Sequence, residues 1–319
     1  MPANISGHAE RAEALEEMAA KVARSAERLK QLEDCTPEEA RAIRRERGNP
    51  FAPPAAELFS IEDIQFPLDA GATPARLYRP VQHADLQPAL LFFHGGGFVL
   101  GNVDQYDTVC QQLAYHSQCM VISVEYTLAP TARIKQIHQQ GFECWQWLAQ
   151  NAASLGIDSS RVAIGGDSAG GNLTLGVLLL CKKLQAVMPA FQVLIYPSVD
   201  VSMSFPSVDE FAEGYFLTKK GMRWFRSHYL ESPEQGLDME LAYLRQDVSG
   251  LPAAYVITAG FDPLRDEGQA FVDHLTASGV PVTHTCYTDQ IHAFVSFAGG
   301  IAAGLDAIKE IGEILRAKL

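Results

Sequence analysis

The chain has 319 residues, of which 47% are hydrophobic and 20% charged, and its formal net charge is −13. This composition is typical of a soluble globular protein with a substantial core, and the length suits one large α/β domain. Nucleic acids and anionic membranes attract clustered lysine and arginine side chains. The strong negative charge of this chain therefore argues against both kinds of partner. We therefore expect a small-molecule ligand and neither a nucleic-acid nor a membrane partner.

The first part of the chain has helical patterns. Apolar residues between positions 10 and 32 recur at spacings of three, four and seven, which predicts an amphipathic helix. A second helix is predicted to start at Thr36, where TPEEARAI supplies an N-cap, an early proline and early carboxylates. The start of the chain shows no apolar stretch behind basic residues, so we expect no signal peptide.

The six cysteines are scattered, without a C-x-x-C pair or clustered histidines. Each is expected to be a small buried apolar residue rather than half of a disulfide or a metal ligand. Reduced thiols of this kind predict a cytoplasmic protein. No metal site is expected.

From residue 59 onward, apolar segments of strand length alternate with stretches long enough for helices. Strands are predicted at 59–67, 75–79, 89–93, 120–126, 161–165, 192–196, 254–259 and 282–287. This alternation predicts an α/β fold with a mostly parallel eight-stranded sheet flanked by helices, and ligands bind at the carboxyl ends of such strands. Residues 198–250 interrupt the pattern and include a predicted helix at 218–230. We expect them to form a cap over this edge with the N-terminal helices.

Residues 164–173, IGGDSAGGNL, place four glycines between two apolar runs. One reading is a phosphate-binding loop, but such a loop needs a lysine where Asn172 stands, and Asp167 would repel a phosphate. The other reading is G-x-S-x-G, with Gly166, Ser168 and Gly170 directly after a predicted strand. A serine on this strand-to-helix turn exposes its hydroxyl as a nucleophile. The sequence favours the second reading.

A nucleophilic serine needs a base and a group that orients the base. Asp262 and Asp266 follow the predicted strand 254–259, and His292 follows the strand 282–287. We favour Asp262, because it comes directly after its strand, whereas Asp266 is expected to cap or pair near the start of a helix. His292 is the predicted base. In proteins with this type of serine turn, the triad residues follow one another along the chain in the order Ser, Asp, His, as they do here.

Residues 92–101, FFHGGGFVLG, follow the third apolar strand of the predicted sheet. Three consecutive glycines let bare backbone N–H groups approach a substrate, as an oxyanion hole requires. Two of these glycines are expected to act with the N–H of Ala169. For His94 we favour a structural role, in which it fixes the glycine loop by hydrogen bonds.

With HGGGF at 94–98, EYTLAP at 125–130, GDSAGG at 166–171, DPLRDEG at 262–268 and IHAF at 291–294, the chain resembles the hormone-sensitive-lipase-like esterases, and among them the bacterial cytoplasmic acetyl esterases. The resemblance implies an α/β-hydrolase fold and hydrolysis of short acyl esters, from acetyl to about hexanoyl, without a cofactor. It gives the triad as Ser168, His292 and Asp262, and the oxyanion donors as Gly96, Gly97 and Ala169. Five residues are implied as supporting members of the motifs: His94, Gly95, Gly166, Asp167 and Gly170.

The resemblance also implies a domain division. Residues 1–48 are expected to form the N-terminal helical part of a cap, and residues 49–319 the catalytic domain, with a cap insertion at about 200–240. One departure concerns the usual H-G-F motif, which here is His292-Ala293-Phe294. The extra methyl is a small change unless position 293 needs a positive φ.

Other functions remain open on the sequence alone. The same triad can serve an arylesterase, an amidase or a carbamate hydrolase, because the shape of the acyl pocket decides between them. A non-catalytic relative that binds a ligand or a protein is a further alternative, although such relatives usually lose a triad residue or the glycine run. The predicted edge strand 282–287 leaves both a monomer and a homodimer open.

Overall fold

The computed structural model describes residues 10–69 and 71–319. The first nine residues of the predicted 1–48 cap segment lie outside the described residues. One sheet contains eight strands: β1 (Ser60–Leu68), β2 (Gly71–Arg79), β3 (Gln87–Phe93), β4 (Met120–Val124), β5 (Ile157–Asp167), β6 (Phe191–Ile195), β7 (Ala254–Phe261) and β8 (Val282–Ile291). Their order in the sheet is β1-β2-β4-β3-β5-β6-β7-β8.

The sheet is mostly parallel, as predicted. β1 pairs antiparallel with β2 and β2 antiparallel with β4, whereas all pairs from β4 through β8 are parallel. The carboxyl ends of these parallel strands therefore meet at one edge. Because β5, β7 and β8 end there, the loops that follow them are brought together.

Nine α-helices surround the sheet: α1 (Glu17–Glu27), α2 (Pro37–Arg47), α3 (Val103–Ser117), α4 (Ile134–Asn151), α5 (Ala169–Leu184), α6 (Ser207–Glu210), α7 (Lys219–Tyr229), α8 (Arg265–Ala277) and α9 (Ala302–Lys318), counted over the described residues. β3 shows how they form two layers. Its residues Leu91 and Phe93 join the apolar cluster with α4 and α5, while Leu90 and Phe92 join the cluster with α3 and α9. Alternate side chains point to opposite faces, so both faces of the strand are buried.

The N-terminal helix is shorter than predicted. Residues 10–32 were expected to be helical, but α1 covers only Glu17–Glu27. The backbone N–H groups of Ala12 and Glu16 instead donate to carbonyl oxygens of β8 at 2.9 and 3.0 Å, which holds this stretch outside the helix. The carboxylate of Glu16 then accepts a hydrogen bond from the N–H of Ala19 and caps α1.

The start of α2 agrees with the prediction. Oγ1 of Thr36 accepts a hydrogen bond from the N–H of Glu39, and the carboxylate of Glu39 accepts one from the N–H of Thr36. This reciprocal capping box fixes the first turn.

All six cysteines are free and five of them are buried, as expected for small apolar residues. Among the helices of the described ranges, none combines the length and apolarity needed to cross a membrane.

Candidate active site

Ser168 lies between the last residue of β5 and the first residue of α5. Its backbone has φ 54° and ψ −115°, a strained conformation that L-residues rarely adopt. The N–H of Ser168 donates to the carbonyl oxygen of Ile195 at 2.9 Å, which fixes the turn to the neighbouring strand. Gly170 is required for close packing, since a Cβ there would lie 1.9 Å from the carbonyl oxygen of Phe93. The turn therefore presents the serine at the carboxyl edge of the sheet.

The other two predicted triad residues reach the same point from β7 and β8. Nε2 of His292 lies 2.9 Å from Oγ of Ser168, and Nδ1 of His292 lies 2.7 Å from Oδ2 of Asp262. Asp262 is completely buried, and its second carboxylate oxygen accepts a hydrogen bond from the N–H of Leu264 at 2.8 Å. The acceptor at Nδ1 selects the tautomer that carries its proton there, which leaves Nε2 free to accept the serine proton.

The competing candidates lie elsewhere. Asp266 is in the first turn of α8, where its carboxylate accepts hydrogen bonds from Nε of Arg265 and from the N–H of Ser207. This is the capping and pairing environment expected for it. His274 lies within α8 and His284 within β8, also as expected.

The glycine loop after β3 faces the serine. Gly96 and Gly97 have φ of +113° and +62°, and both line one cavity with Ser168, Ala169 and His292. Phe225 of α7 packs directly on Gly97, because a Cβ on Gly97 would lie 2.3–2.6 Å from three of its ring carbons. The cavity wall thus holds the glycine loop from the side opposite its own strand.

His94 is fully buried below this loop. Its Nδ1 lies 2.7 Å from the carbonyl oxygen of Gly95, and its ring stacks on Tyr126 with centroids 4.4 Å apart. Burial lowers the pKa of His94 to about 4, so the ring is neutral at neutral pH. These contacts match the structural role that the sequence analysis favoured.

Asp167 joins the nucleophile turn to the glycine loop. Its carboxylate accepts hydrogen bonds from the N–H of Gly95 at 2.7 Å and from the hydroxyl of Tyr106 at 2.9 Å. Burial raises the pKa of Asp167 to about 6. Two further site residues were not predicted: Tyr106, which lies in the first turn of α3 shortly after the glycine loop, and Tyr196, whose ring meets His292 edge to face at 4.9 Å.

Ala293 adopts the left-handed conformation, with φ 65° and ψ 14°. Glycine is therefore favoured at position 293, and the alanine of this chain adopts a strained backbone conformation there. The residue nonetheless leaves His292 within hydrogen-bonding distance of both of its partners.

The cavity above the serine has a volume of about 480 Å³. Besides the catalytic loops, its walls come from three other parts of the chain: residues 22–33, 44–51 and 198–229. Asn49 connects one of these parts to the loop after β8, since its side-chain amide donates to the carbonyl oxygen of Ser296 at 2.7 Å. In the part of the chain that the structure describes, no group of three or more His, Cys, Asp or Glu side chains is arranged to hold a metal ion.

A family model described as the alpha/beta hydrolase fold matches residues 90–296. The chain belongs to the α/β-hydrolase fold family. The resemblance to hormone-sensitive-lipase-like esterases within this family is confirmed by the relatives that follow, and this α/β-hydrolase is a carboxylic ester hydrolase.

Among the relatives of this α/β-hydrolase is the ethyl acetate hydrolase of Pseudomonas putida, 36% identical over 287 residues, which covers 88% of this chain and 90% of that protein. The carboxylic ester hydrolase LipN of Mycobacterium tuberculosis is 35% identical over 81% of this chain and 70% of its own. The solved ester-hydrolase EH1AB1, from the metagenome of Lake Arreo and in complex with a derivative of bipyridine phosphonate, superposes with a TM-score of 0.90 at 35% identity, covering 95% of this chain and 98% of that one.

Proposed function

We propose that the chain is a serine carboxylesterase in which Ser168 is the nucleophile, His292 the general base and Asp262 the group that orients the base. The observation that carries the proposal is the continuous hydrogen-bonded path from Oγ of Ser168 through both ring nitrogens of His292 to Asp262, with distances of 2.9 and 2.7 Å. A buried carboxylate of this kind stabilises the imidazolium that forms during the reaction.

The reaction then has two halves. Oγ of Ser168 attacks the ester carbonyl carbon while Nε2 of His292 takes the hydroxyl proton, and the tetrahedral intermediate collapses when His292 returns that proton to the leaving alcohol. Water next attacks the acyl-enzyme and gives a proton to His292. That proton returns to Oγ of Ser168 as the carboxylic acid leaves, so no cofactor is consumed.

The negative charge that develops on the carbonyl oxygen is stabilised by the N–H groups of Gly96, Gly97 and Ala169. Positive φ at the two glycines turns their backbone in a way that most other residues resist, and Ala169 stands at the N-terminus of α5, where N–H groups have no helical partner. The bond from Gly95 to Asp167 supports this assignment, because it ties the glycine loop to the serine turn.

We further propose that residues 1–48 and about 200–240 form the cap, and residues 49–319 without that insertion the catalytic domain. For the acyl group we propose acetyl to about hexanoyl. The name of the ethyl acetate hydrolase supports a small ester. The cavity of about 480 Å³ is within the usual range of small-ligand sites.

The test is hydrolysis of p-nitrophenyl esters of increasing acyl length by the purified protein, with Ser168→Ala as the control. We expect turnover of the acetate and butyrate esters that Ser168→Ala lacks, and a decline beyond hexanoate. Absence of turnover above the control would refute the esterase mechanism. A maximum at long acyl chains would refute the short-chain preference and leave the mechanism intact.

A further inference from the structure

Three cationic side chains line the cavity that contains Ser168, although the chain as a whole is strongly acidic. They are Lys30, which follows α1, and Arg44 and Arg47 in the last turn of α2. Within residues 10–69 and 71–319, none of the three has a carboxylate partner within 4 Å. Arg44 and Arg47 are half-buried, so each guanidinium has lost part of its water and gains from an anionic partner, whereas Lys30 is exposed.

Of the three cations, Arg44 is the one whose charge acts on residues beside the serine turn and the glycine loop. Burial raises the pKa of Tyr106 and lowers that of His94, the two residues that flank the serine turn and the glycine loop, and the positive charge of Arg44 lowers the pKa of each. Among the described residues, the only hydrogen bond of its side chain runs from Nε to the side-chain oxygen of Gln105 at 3.3 Å. Both terminal nitrogens of the guanidinium, which carry four of its five N–H donors, are left for another acceptor.

Two of the three anionic side chains of the cavity, Asp200 and Asp167, are occupied by their own neighbours. Asp200 accepts four hydrogen bonds from the backbone and side chains of Ser202 and Ser204, at 2.5–3.0 Å. Asp167 is buried and accepts the two bonds from Gly95 and Tyr106 described above, and Glu33 accepts one long bond, of 3.4 Å, from the hydroxyl of Thr218. The charged side chains of the cavity that have unused hydrogen-bonding groups are therefore mainly the cationic ones.

Basic residues in the last turn of a helix also complement the helix dipole, which by itself would account for arginines at this place. Arg45 is exposed and lines only a separate depression beside Glu125, which Arg44 borders as well. Arg44 and Arg47 are three residues apart and share a helix face, and that face forms the cavity wall. Arg47 also donates to the carbonyl oxygen of Lys30 at 2.8 Å, so Arg44 is the freer of the two.

We propose that the ester substrate carries a carboxylate, which Arg44 binds, with Arg47 beside it, while Ser168 attacks the ester group. The proposal rests on the esterase function proposed above and narrows its substrate class. A guanidinium binds a carboxylate through two parallel N–H···O bonds, which would fix the substrate in the cavity at a set distance from the serine. The carboxylate belongs either to the acyl part or to the alcohol part of the ester, and the experiment separates these cases.

The first arm of the experiment uses monoethyl esters of dicarboxylic acids, from succinate to suberate, with ethyl alkanoates of equal length as neutral matches. The second arm uses acetates of ω-hydroxy acids of the same lengths, with alkyl acetates as matches. In each arm kcat/KM is measured by acid release at constant pH. The variants are Arg44→Met, which keeps an unbranched chain but removes the charge, and Arg45→Met on the outer face as the matched control.

In one of the arms, we expect the carboxylate ester of the best length to react faster than its neutral match. Arg44→Met should lower kcat/KM for that carboxylate ester by about 10- to 100-fold. Hydrolysis of the neutral match should change by less than about threefold, which also shows that the variant is folded. Arg45→Met should leave both substrates unchanged. For the wild-type protein, rising NaCl should reduce the preference for the charged ester, because salt screens the attraction.

The proposal is overturned if neutral esters are preferred at every length in both arms. It is also overturned if Arg44→Met lowers kcat/KM for charged and neutral esters by the same factor, or if it lowers kcat/KM for neither kind of ester. If Arg44→Met does not fold, the salt dependence decides, and a preference that is independent of NaCl overturns the proposal. Failure of the esterase function itself looks different, because then neither charged nor neutral esters react above the Ser168→Ala control.

Discussion

Replacement of Gly97 by alanine tests whether Phe225 in the cavity wall holds the glycine loop in the geometry that the proposed reaction needs. The new Cβ would lie 2.3–2.6 Å from three ring carbons of Phe225, whereas carbon atoms in contact are about 3.5–4.0 Å apart. The loop and the ring must therefore separate by roughly 1 Å or more. Residue 97 also has φ +62°, which an alanine adopts at a cost of about 1–2 kcal/mol.

These two effects predict a large loss of activity. Overpacking of this kind costs about 1–3 kcal/mol, and relief by movement of the loop would misplace an N–H donor. Loss of one oxyanion donor lowers kcat by about 100- to 1,000-fold, and we expect Gly97→Ala to fall in this range. In a Phe225→Ala background the steric part is absent, so the same substitution should lower kcat by no more than about tenfold, through the shift of the N–H groups by which the loop relieves its backbone strain.

The assay is a double-mutant cycle on kcat for p-nitrophenyl butyrate with the wild-type protein, both single variants and the double variant. Gly279→Ala is the matched control, since residue 279 also has a positive φ, +77°, but nothing lies within 4 Å of a Cβ there. It should lower the free energy of unfolding by about 1–2 kcal/mol and leave kcat unchanged. An equal effect of Gly97→Ala with and without the Phe225 ring would refute the steric explanation.

Three further outcomes are expected. Ala293→Gly should raise the free energy of unfolding in urea by about 0.5–1 kcal/mol, because glycine removes the strain at φ 65°; a destabilised variant would contradict this. Burial lowers the pKa of His138 from 6.5 to about 4. Between these pH values the unfolded chain therefore binds more protons than the folded chain, and the free energy of unfolding rises with pH across this window by up to about 3 kcal/mol. His138→Gln should reduce that rise, as urea unfolding at pH 4.5 and 7 would measure, and an unchanged slope would count against it. Asp262→Asn should lower kcat by about 1,000- to 10,000-fold, whereas Asp266→Asn, the competing carboxylate, should change it by less than about threefold; the reverse order would exchange their roles.

The sheet could be predicted because its central strands are continuous apolar runs that end in glycine, aspartate or other loop residues. Ser168, Asp262 and His292 were selected by the same logic, since each follows a strand and all parallel strands end at one edge. The structure brings these three side chains together. Their selection needed only local motifs and the direction of the strands.

Other site residues depend on packing between distant segments. Tyr106 lies on α3 and contacts Asp167 across 61 positions of sequence, with nothing in its own neighbourhood that indicates the contact. Phe225 belongs to the helix predicted at 218–230, but its contact with Gly97 depends on where that helix docks. The extent of α1 was wrong for a related reason, because backbone pairing with β8 competes with helix formation at Ala12 and Glu16.

That backbone pairing also limits how a second copy of the chain can join the sheet. β8 is the last strand in the sheet, and the carbonyl oxygens of Thr288 and Asp289 already accept hydrogen bonds from the N-terminal segment. Within residues 10–69 and 71–319, strand addition therefore has at most the first six residues of β8, 282–287, whose backbone groups accept nothing from this segment. At about 3.3 Å per residue this is roughly 20 Å of ladder, the length of one ordinary strand.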